Sequence, residues 1–280
     1  MDNYQLTQDQ ITAYGVCLRT EEHTPSTIEK YLRDTQAFAV WLEGRPVTRE
    51  LAAEWRDRLL SSGHKPSTVN SMLAAVNGLF RFLGWGIRVK FLKVQRRLFR
   101  DQSRELTRGE YDLLVNTARA AGKERLALLM EAVCATGVRV SEVKYLTVEA
   151  AQCGRAEIAL KGKIRMILLP NKLCRKLLKY ARKQKIASGE IFLTRSGRSL
   201  SRRQIWAEMK QLCKATGVAS EKVYPHNLRH LFARTFYQAC KDIARLADVL
   251  GHSSIETTRI YLVTTGAEQV RQLDRLGLVS

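Results

Sequence analysis

The sequence predicts a mainly α protein built as two helical parts, with a joint near residue 100 and one small antiparallel β-hairpin in the second part. Three observations predict it. Two segments, 24–44 and 65–84, repeat one amphipathic helical design; a capping pattern at Thr107 restarts helix after a polar stretch; and only the run 155–170 reads as strand. A chain of 280 residues exceeds one typical domain and suits two, each with its own core.

The elements follow in order. "TPSTIEKYLRDTQAFAVWLEG" places Ile28, Tyr31, Leu32, Phe38, Ala39 and Leu42 on one helical face, with Thr24 as N-cap, Pro25 in the first turn and Gly44 at the stop. "KPSTVNSMLAAVNGLFRFLG" repeats this with Val69, Met72, Leu73, Val76, Leu79, Phe80 and Leu83. Two "PST" starts are too few for a solenoid and mark two helices of a small bundle. From Lys93 to Glu105 the chain is polar and basic, which predicts a linker. Thr107 then caps a new helix, and Glu110 completes a capping box. "LALLMEAVCATGV", from Leu126, is interrupted by Glu131 and falls short of the ~20 residues of a membrane span, so it predicts a buried helix. "RAEIALKGKIRMILLP" predicts a hairpin, with Lys161 and Lys163 flanking its turn.

Charge narrows the function. The net charge is +20, and residues 1–103 carry 15 basic against 11 acidic side chains while residues 104–280 carry 32 against 16. Ten basic residues and no acidic one lie between Lys161 and Lys185, in a segment too apolar for a disordered tail. A one-signed folded surface predicts a polyanionic partner, nucleic acid before membrane. Lys163, Arg165, Lys176 and Lys179 are therefore the expected phosphate contacts. The start "MDNYQLTQDQ" has neither a basic nor an apolar run, so no signal peptide is expected. Six cysteines without a CxxC pair fit free thiols in a reducing cytoplasm.

Several residues invite chemistry. In "GVRVSEV", Arg139 sits among apolar neighbours and needs an anionic partner, either Glu142 three residues on or a ligand. In "YPHNLRHLFA", His226 and Arg229 lie one helical turn apart, and Arg229 needs a carboxylate or a phosphate. His226 and His230 have the i, i+4 spacing that zinc sites use, but "HNLRH" lacks the glutamate of a metalloprotease helix and no cysteine is near, so no metal is expected. Tyr261 ends "LGHSSIETTRIY", nine residues after His252; alone, it reads as a core residue with its hydroxyl at the surface.

The ordered set "ATGVRVSEV", "LKGK", "PHNLRH" and "LGHSSIETTRIY" resembles the tyrosine recombinases, the family of phage integrases and Xer-type resolvases, across nearly the whole chain. The resemblance implies an N-terminal helical SAM-like core-binding domain over residues 1–97, a linker over 98–105 and a mostly helical catalytic domain with a small antiparallel sheet over 106–280. It implies a site-specific DNA recombinase that cuts and rejoins strands through a 3′-phosphotyrosyl link. Tyr261 would be the nucleophile, Arg139 and Arg229 the phosphate clamps, Lys161 the acid for the leaving oxygen, His226 an aid to proton transfer near the tyrosine, and His252 a hydrogen-bond partner of the phosphoryl oxygen. A shift of the turn by one residue would present Lys163 in place of Lys161. Neither cofactor nor metal is implied. The expected partners are a double-stranded recombination site and further copies of the chain, monomeric or weakly associated off DNA and tetrameric at synapsis; a second recombinase or accessory factor stays open. The expected location is the cytoplasm, on the nucleoid.

Past Tyr261, Val270, Leu273, Leu276 and Leu278 form a short apolar stripe that the resemblance would dock into a neighbouring protomer. The helical module begins almost at Met1, which predicts no separate arm-binding domain and a simpler, Xer-like recombinase. A type IB topoisomerase shares this chemistry and is the alternative. A catalytically dead regulator is disfavoured because no expected residue is missing, and a metal-dependent nuclease because no acidic cluster surrounds the motifs.

Overall fold

Small polar residues and prolines set the helix starts of the N-terminal part. The computed structural model describes residues 4–94, 102–160, 163–261, 270–271 and 274–276. The chain divides into two compact units, Met1–Arg96 and Arg97–Ser280. In the first, α1 (Gln8–Thr20) opens with a reciprocal Thr7–Gln10 capping box. α3 (Arg49–Ser61) opens on the Thr48 hydroxyl. α2 (Pro25–Leu42) and α4 (Pro66–Phe82) each carry proline in the first turn, where no helical N–H is needed. The two "PST" segments thus start two helices that pack on each other. Phe38 meets Trp55 and Phe80 edge-on at 5.0 and 5.7 Å between ring centres, in a core with Leu42, Val69, Leu73 and Val76.

Two polar features of this unit have no hydrophobic signature. Asp34 is buried against Lys30 at 2.5 Å, and the Lys30 ammonium also donates to the Ser71 carbonyl, tying α2 to α4. Asn70 and Asn77, two turns apart on α4, bind the backbone of Leu92 and Val89 through both ends of each amide, at 2.8–2.9 Å. The extended segment after α4 is held by side chains in place of a neighbouring strand.

In the second unit, α5 (Arg108–Ala120) carries the expected Thr107–Glu110 capping box. α6 (Glu124–Thr136) is the central element, packed on α5 and on three later helices, α8 (Asn171–Lys183), α9 (Arg202–Thr216) and α10 (Pro225–Cys240). Its residues Leu126 to Met130, Ala132 and Val133 are all buried, as the apolar run predicts. No described helix is long and apolar enough to cross a membrane. A 3-10 turn (Val140–Tyr145) and α7 (Val148–Cys153) lead to β1 (Arg155–Leu160) and β2 (Lys163–Leu168), an antiparallel pair with Ile158 opposite Arg165. Two short helices, α11 (Ile243–Leu250) and α12 (Ile255–Arg259), end the described core.

The apolar run of β2 is split between the two faces of the hairpin. Ile164, Met166 and Leu168 are 73%, 56% and 75% exposed, whereas Arg165 and Ile167 point inward. The linker expected over 98–105 falls partly outside the described residues, and its end is fixed: Asn227 donates to the Arg104 carbonyl at 2.7 Å, and Arg234 pairs with Glu105 and donates to the Leu106 carbonyl. Of the C-terminal stripe, Val270 and Leu276 are described and exposed, and Leu273 and Leu278 lie outside the described residues.

Candidate active site

The C-terminal end of α11 gathers the arginines. An α-helix leaves its last carbonyls without helical partners, and its dipole makes that end negative. Here three consecutive carbonyls each accept from a different arginine: Val249 from Arg165 at 2.9 Å, Leu250 from Arg229 at 2.7 Å and Gly251 from Arg139 at 3.3 Å. Gly251 caps the helix at φ +63, and a Cβ there would collide with the Arg165 side chain. Gly137 plays the same part at the end of α6, with φ +66, and its carbonyl accepts from Arg229.

One carboxylate organises two of these arginines. Glu142, 2% exposed, pairs with Arg139 at 2.8 Å and with Arg165 at 2.6 Å, and it also accepts the Arg139 N–H at 2.7 Å. Burial pushes its pKa up, but the Arg165 and Arg139 bonds outweigh this and hold it below the usual carboxylate range. Arg139 therefore has the Glu142 partner that its context demands, and it keeps a 39% exposed side chain beside an open cavity. Arg165, an expected phosphate contact, is instead committed to Glu142 and Val249. That is why β2 turns its basic residue inward.

Among the described residues Arg229 meets no carboxylate. It is 2% exposed and surrounded by the Gly137 and Leu250 carbonyls and by His252 Nε2 at 3.1 Å. Burial, then Arg139, pulls its pKa to about 10, while Tyr261 opposes the shift, so the guanidinium stays charged at neutral pH. Burial and then Arg229 pull His252 down to about 4, and His252 Nδ1 lies 2.9 Å from the Thr258 hydroxyl.

Tyr261 is 5% exposed and packs with Ala233, Leu246 and Leu250. Its ring meets His230 edge-on at 4.6 Å and stacks with His252 at 6.1 Å. His230, which the sequence shows only as half of an unconvincing metal pair, is the histidine edge-on to the tyrosine. Burial, then His226, drives its pKa to about 3. His226 contacts His230 at 4.5 Å and reaches solvent, its pKa lowered by burial and then by Arg229. A cavity of about 500 Å³ opens here, lined by Arg139, Arg202, Arg203, Trp206, His226 and Arg229. Arg202, Arg203 and Trp206 lie at the start of α9, a helix that showed no chemical motif in the sequence.

Of the other predicted residues, Lys161 lies outside the described residues, as does the side chain of Lys163. Lys176 is paired with Glu131 at 2.7 Å, and Lys179 is exposed on α8. Among the described residues no three His, Cys, Asp or Glu side chains group as a metal site. Arg139, Arg229, His226, His252 and Tyr261 are thus brought to one place, joined by Glu142, Arg165, His230 and Thr258. The spacing within "RVSE" was the signal available for Glu142; His230 and Thr258 had none beyond their nearness in sequence to Arg229 and Tyr261.

The family model for the phage integrase family matches residues 104–267, and that for the phage integrase N-terminal SAM-like domain matches residues 11–86. The chain is 31% identical to tyrosine recombinase XerC of Roseiflexus castenholzii, covering 90% of this chain and 88% of that one. It is 25% identical to tyrosine recombinase XerA of Pyrococcus furiosus, over 98% and 96%. Its fold is similar to that of a lambda integrase dimer bound to a COC′ core site, with TM-score 0.74 and 19% identity over 92% of this chain and 95% of that one. It is also similar to the Tn1549 transposon integrase in complex with transposon right end DNA, with TM-score 0.71 and 16% identity over 96% and 99%. With two family models covering both units and a curated relative matched almost end to end, the chain belongs to the phage integrase family and is a tyrosine-type site-specific recombinase.

Proposed function

We propose that Tyr261 attacks a scissile DNA phosphate, forming a 3′-phosphotyrosyl link as the bond from phosphorus to the 5′-oxygen breaks. The carrying observation is the convergence of Arg139, Arg229 and His252 beside Tyr261 at one helix end, with Glu142 the carboxylate that pairs with Arg139 and Arg165. The excess positive charge suits the nonbridging oxygens, which two guanidinium forks bind with several hydrogen bonds. Arg139 and Arg229 both line the cavity that would admit the phosphate. Lys161 supplies the proton for the departing 5′-oxygen, with Lys163 as the alternative donor. The tyrosine proton leaves through the His230–His226 pair, whose outer member meets solvent. The phosphodiester is preserved in the covalent link, so a 5′-hydroxyl from another strand reverses the step without ATP or a metal.

In this reading residues 1–97 also bind the DNA, the linker over 98–105 joins the two units, and residues 106–280 carry the chemistry. Four copies assemble on two synapsed sites, and the protein resides on the nucleoid. Arg165 acts by holding Glu142 and the end of α11 in place, not as a DNA contact. Lys163 and Lys179 contact phosphates.

The test is capture of the cut site. Incubating the protein with sheared genomic DNA of the cell that encodes it, denaturing, and sequencing the DNA that stays attached should return one recurrent site. Tyr261→Phe should bind that site and attach to none of it, and the wild-type adduct should persist in a chelator. An adduct with Tyr261→Phe overturns the nucleophile assignment. Steady relaxation of a supercoiled circle without strand exchange would mark a topoisomerase instead.

A further inference from the structure

Thr258 lies between His252 and Tyr261 and is bonded to both. It is fully buried; its hydroxyl lies 2.9 Å from His252 Nδ1, and its carbonyl accepts the Tyr261 N–H at 3.0 Å. The other ring nitrogen, Nε2, faces Arg229 Nη2 at 3.1 Å. A guanidinium only donates, so Nε2 must hold a lone pair, and the neutral ring carries its proton on Nδ1. Burial and the nearby arginines keep the ring neutral well below pH 7. The Thr258 oxygen is therefore the acceptor for that proton.

This tautomer is the wrong one for meeting a phosphate. A phosphoryl oxygen accepts, so Nε2 must become N–H once DNA draws the Arg229 group to itself. Nδ1 then holds a lone pair and needs a donor in a place that water does not reach. A hydroxyl donates or accepts from the same position by turning about one bond, which neither an amide nor a carboxylate does. We propose that Thr258 is a positioning residue whose hydroxyl serves both tautomers of His252, accepting from Nδ1–H in the free protein and donating to Nδ1 when phosphate is bound. Nε2 takes up a proton from solvent as Nδ1 releases one, so the ring stays neutral and no charge is added. The Thr258 carbonyl meanwhile holds the Tyr261 backbone, which couples the angle of the ring to the place of the tyrosine. This inference rests on the reading of Tyr261 as nucleophile and His252 as a partner of the phosphate.

Two measurements on the full chain decide it. Nitrogen-15 NMR of the His252 ring should show Nδ1–H in the DNA-free wild type and Nε2–H in Tyr261→Phe bound to a duplex carrying the captured site. Nε2–H in the free protein, a doubly protonated ring on DNA, or Nδ1–H retained on DNA overturns the proposal. On a nicked form of the same duplex, Thr258→Val, which keeps shape and loses the hydroxyl, should form adduct about 10- to 100-fold more slowly at unchanged DNA affinity, the range expected when a buried polar group loses its partner. Thr258→Ser should recover most of the rate. Wild-type speed in Thr258→Val, or a Thr258→Ser variant as slow as Thr258→Val, means that the methyl packs and the hydroxyl does nothing. If the wild type attaches to no DNA, the nucleophile reading fails, and the spectrum of the free protein still decides whether Thr258 accepts from His252.

Discussion

Arg229 and Glu142 show how single residues acquire their roles from unlike surroundings. Arg229 is buried among carbonyls, so its charge is met by dipoles and left available to an anion. Glu142 is buried between two guanidinium groups, so its charge is fully used within the protein. Removing it strands Arg139 and Arg165, and breaking a buried pair by deleting one partner costs about 3–5 kcal/mol. Glu142→Gln should therefore lower the unfolding free energy by that order in urea titrations at pH 7. The folded pKa of Glu142 is depressed, so its contribution is present above the unfolded value of about 4.3 and is lost as pH falls through the lower folded value. Unfolding curves taken from pH 5 to pH 2 should be steeper in pH for the wild type than for Glu142→Gln.

At the scale of elements, the end of α11 is a short turn held from three sides. Its carbonyls fix three arginines, and Gly251 makes room for one of them. Gly251→Ala would incur both a left-handed backbone cost and a clash with Arg165. Gly154→Ala, at φ +70 with nothing near its missing Cβ, would incur only the first. The backbone cost alone is about 1 kcal/mol. Gly251→Ala should therefore lose more stability than Gly154→Ala in urea titrations and also slow adduct formation, whereas Gly154→Ala should cleave normally. Equal effects from the two would show that the end of α11 yields without consequence. The hairpin makes a related point: turning Arg165 inward leaves three apolar side chains of β2 in solvent, because Glu142 cannot be buried without a second cation.

For the whole molecule, the charge of +20 makes DNA affinity fall with salt, and the slope of log affinity against log salt counts the phosphates neutralised. The structure separates two lysines that the sequence treats alike. Lys176 is tied to Glu131, which also binds Arg119 at 2.5 Å, while Lys179 is exposed. Lys179→Ala should reduce the slope by up to ~1 if it meets a phosphate, and Lys176→Ala by less, as read by fluorescence anisotropy from low to high salt. An unchanged slope in Lys179→Ala would make α8 a merely solvated face. Assembly is tested at the C-terminus. Deleting residues 267–280 should spare filling of a single half-site and abolish cooperative filling of two, because a weak contact in trans forms only when DNA aligns two protomers. Loss of single half-site binding would mean that the segment packs on its own unit.

What the sequence by itself determined was local chemistry and its order along the chain. The cap at Thr107, the "PST" starts, the buried run of α6 and the hairpin each follow from neighbouring residues, because capping and periodicity act over a turn or two. Arg139 with Glu142, and His226 with Arg229, were legible for the same reason: one helical turn brings each pair together. What only the tertiary structure decided was which groups share an end of a helix. The Val249, Leu250 and Gly251 carbonyls have no sequence signature as ligands, since every residue has a carbonyl and only packing leaves these three aimed at arginines. Arg165 read as one more cation in a basic run, and it became structural because the register of β2 sets it beside a carboxylate 23 residues away. His230 likewise gained its place from a long-range contact, with Tyr261, and Thr258 from the turn that sets its hydroxyl against His252 Nδ1. Residue type and spacing named the reacting groups; their protonation, burial and partners belong to the fold, because each depends on dipoles and charges brought from distant segments.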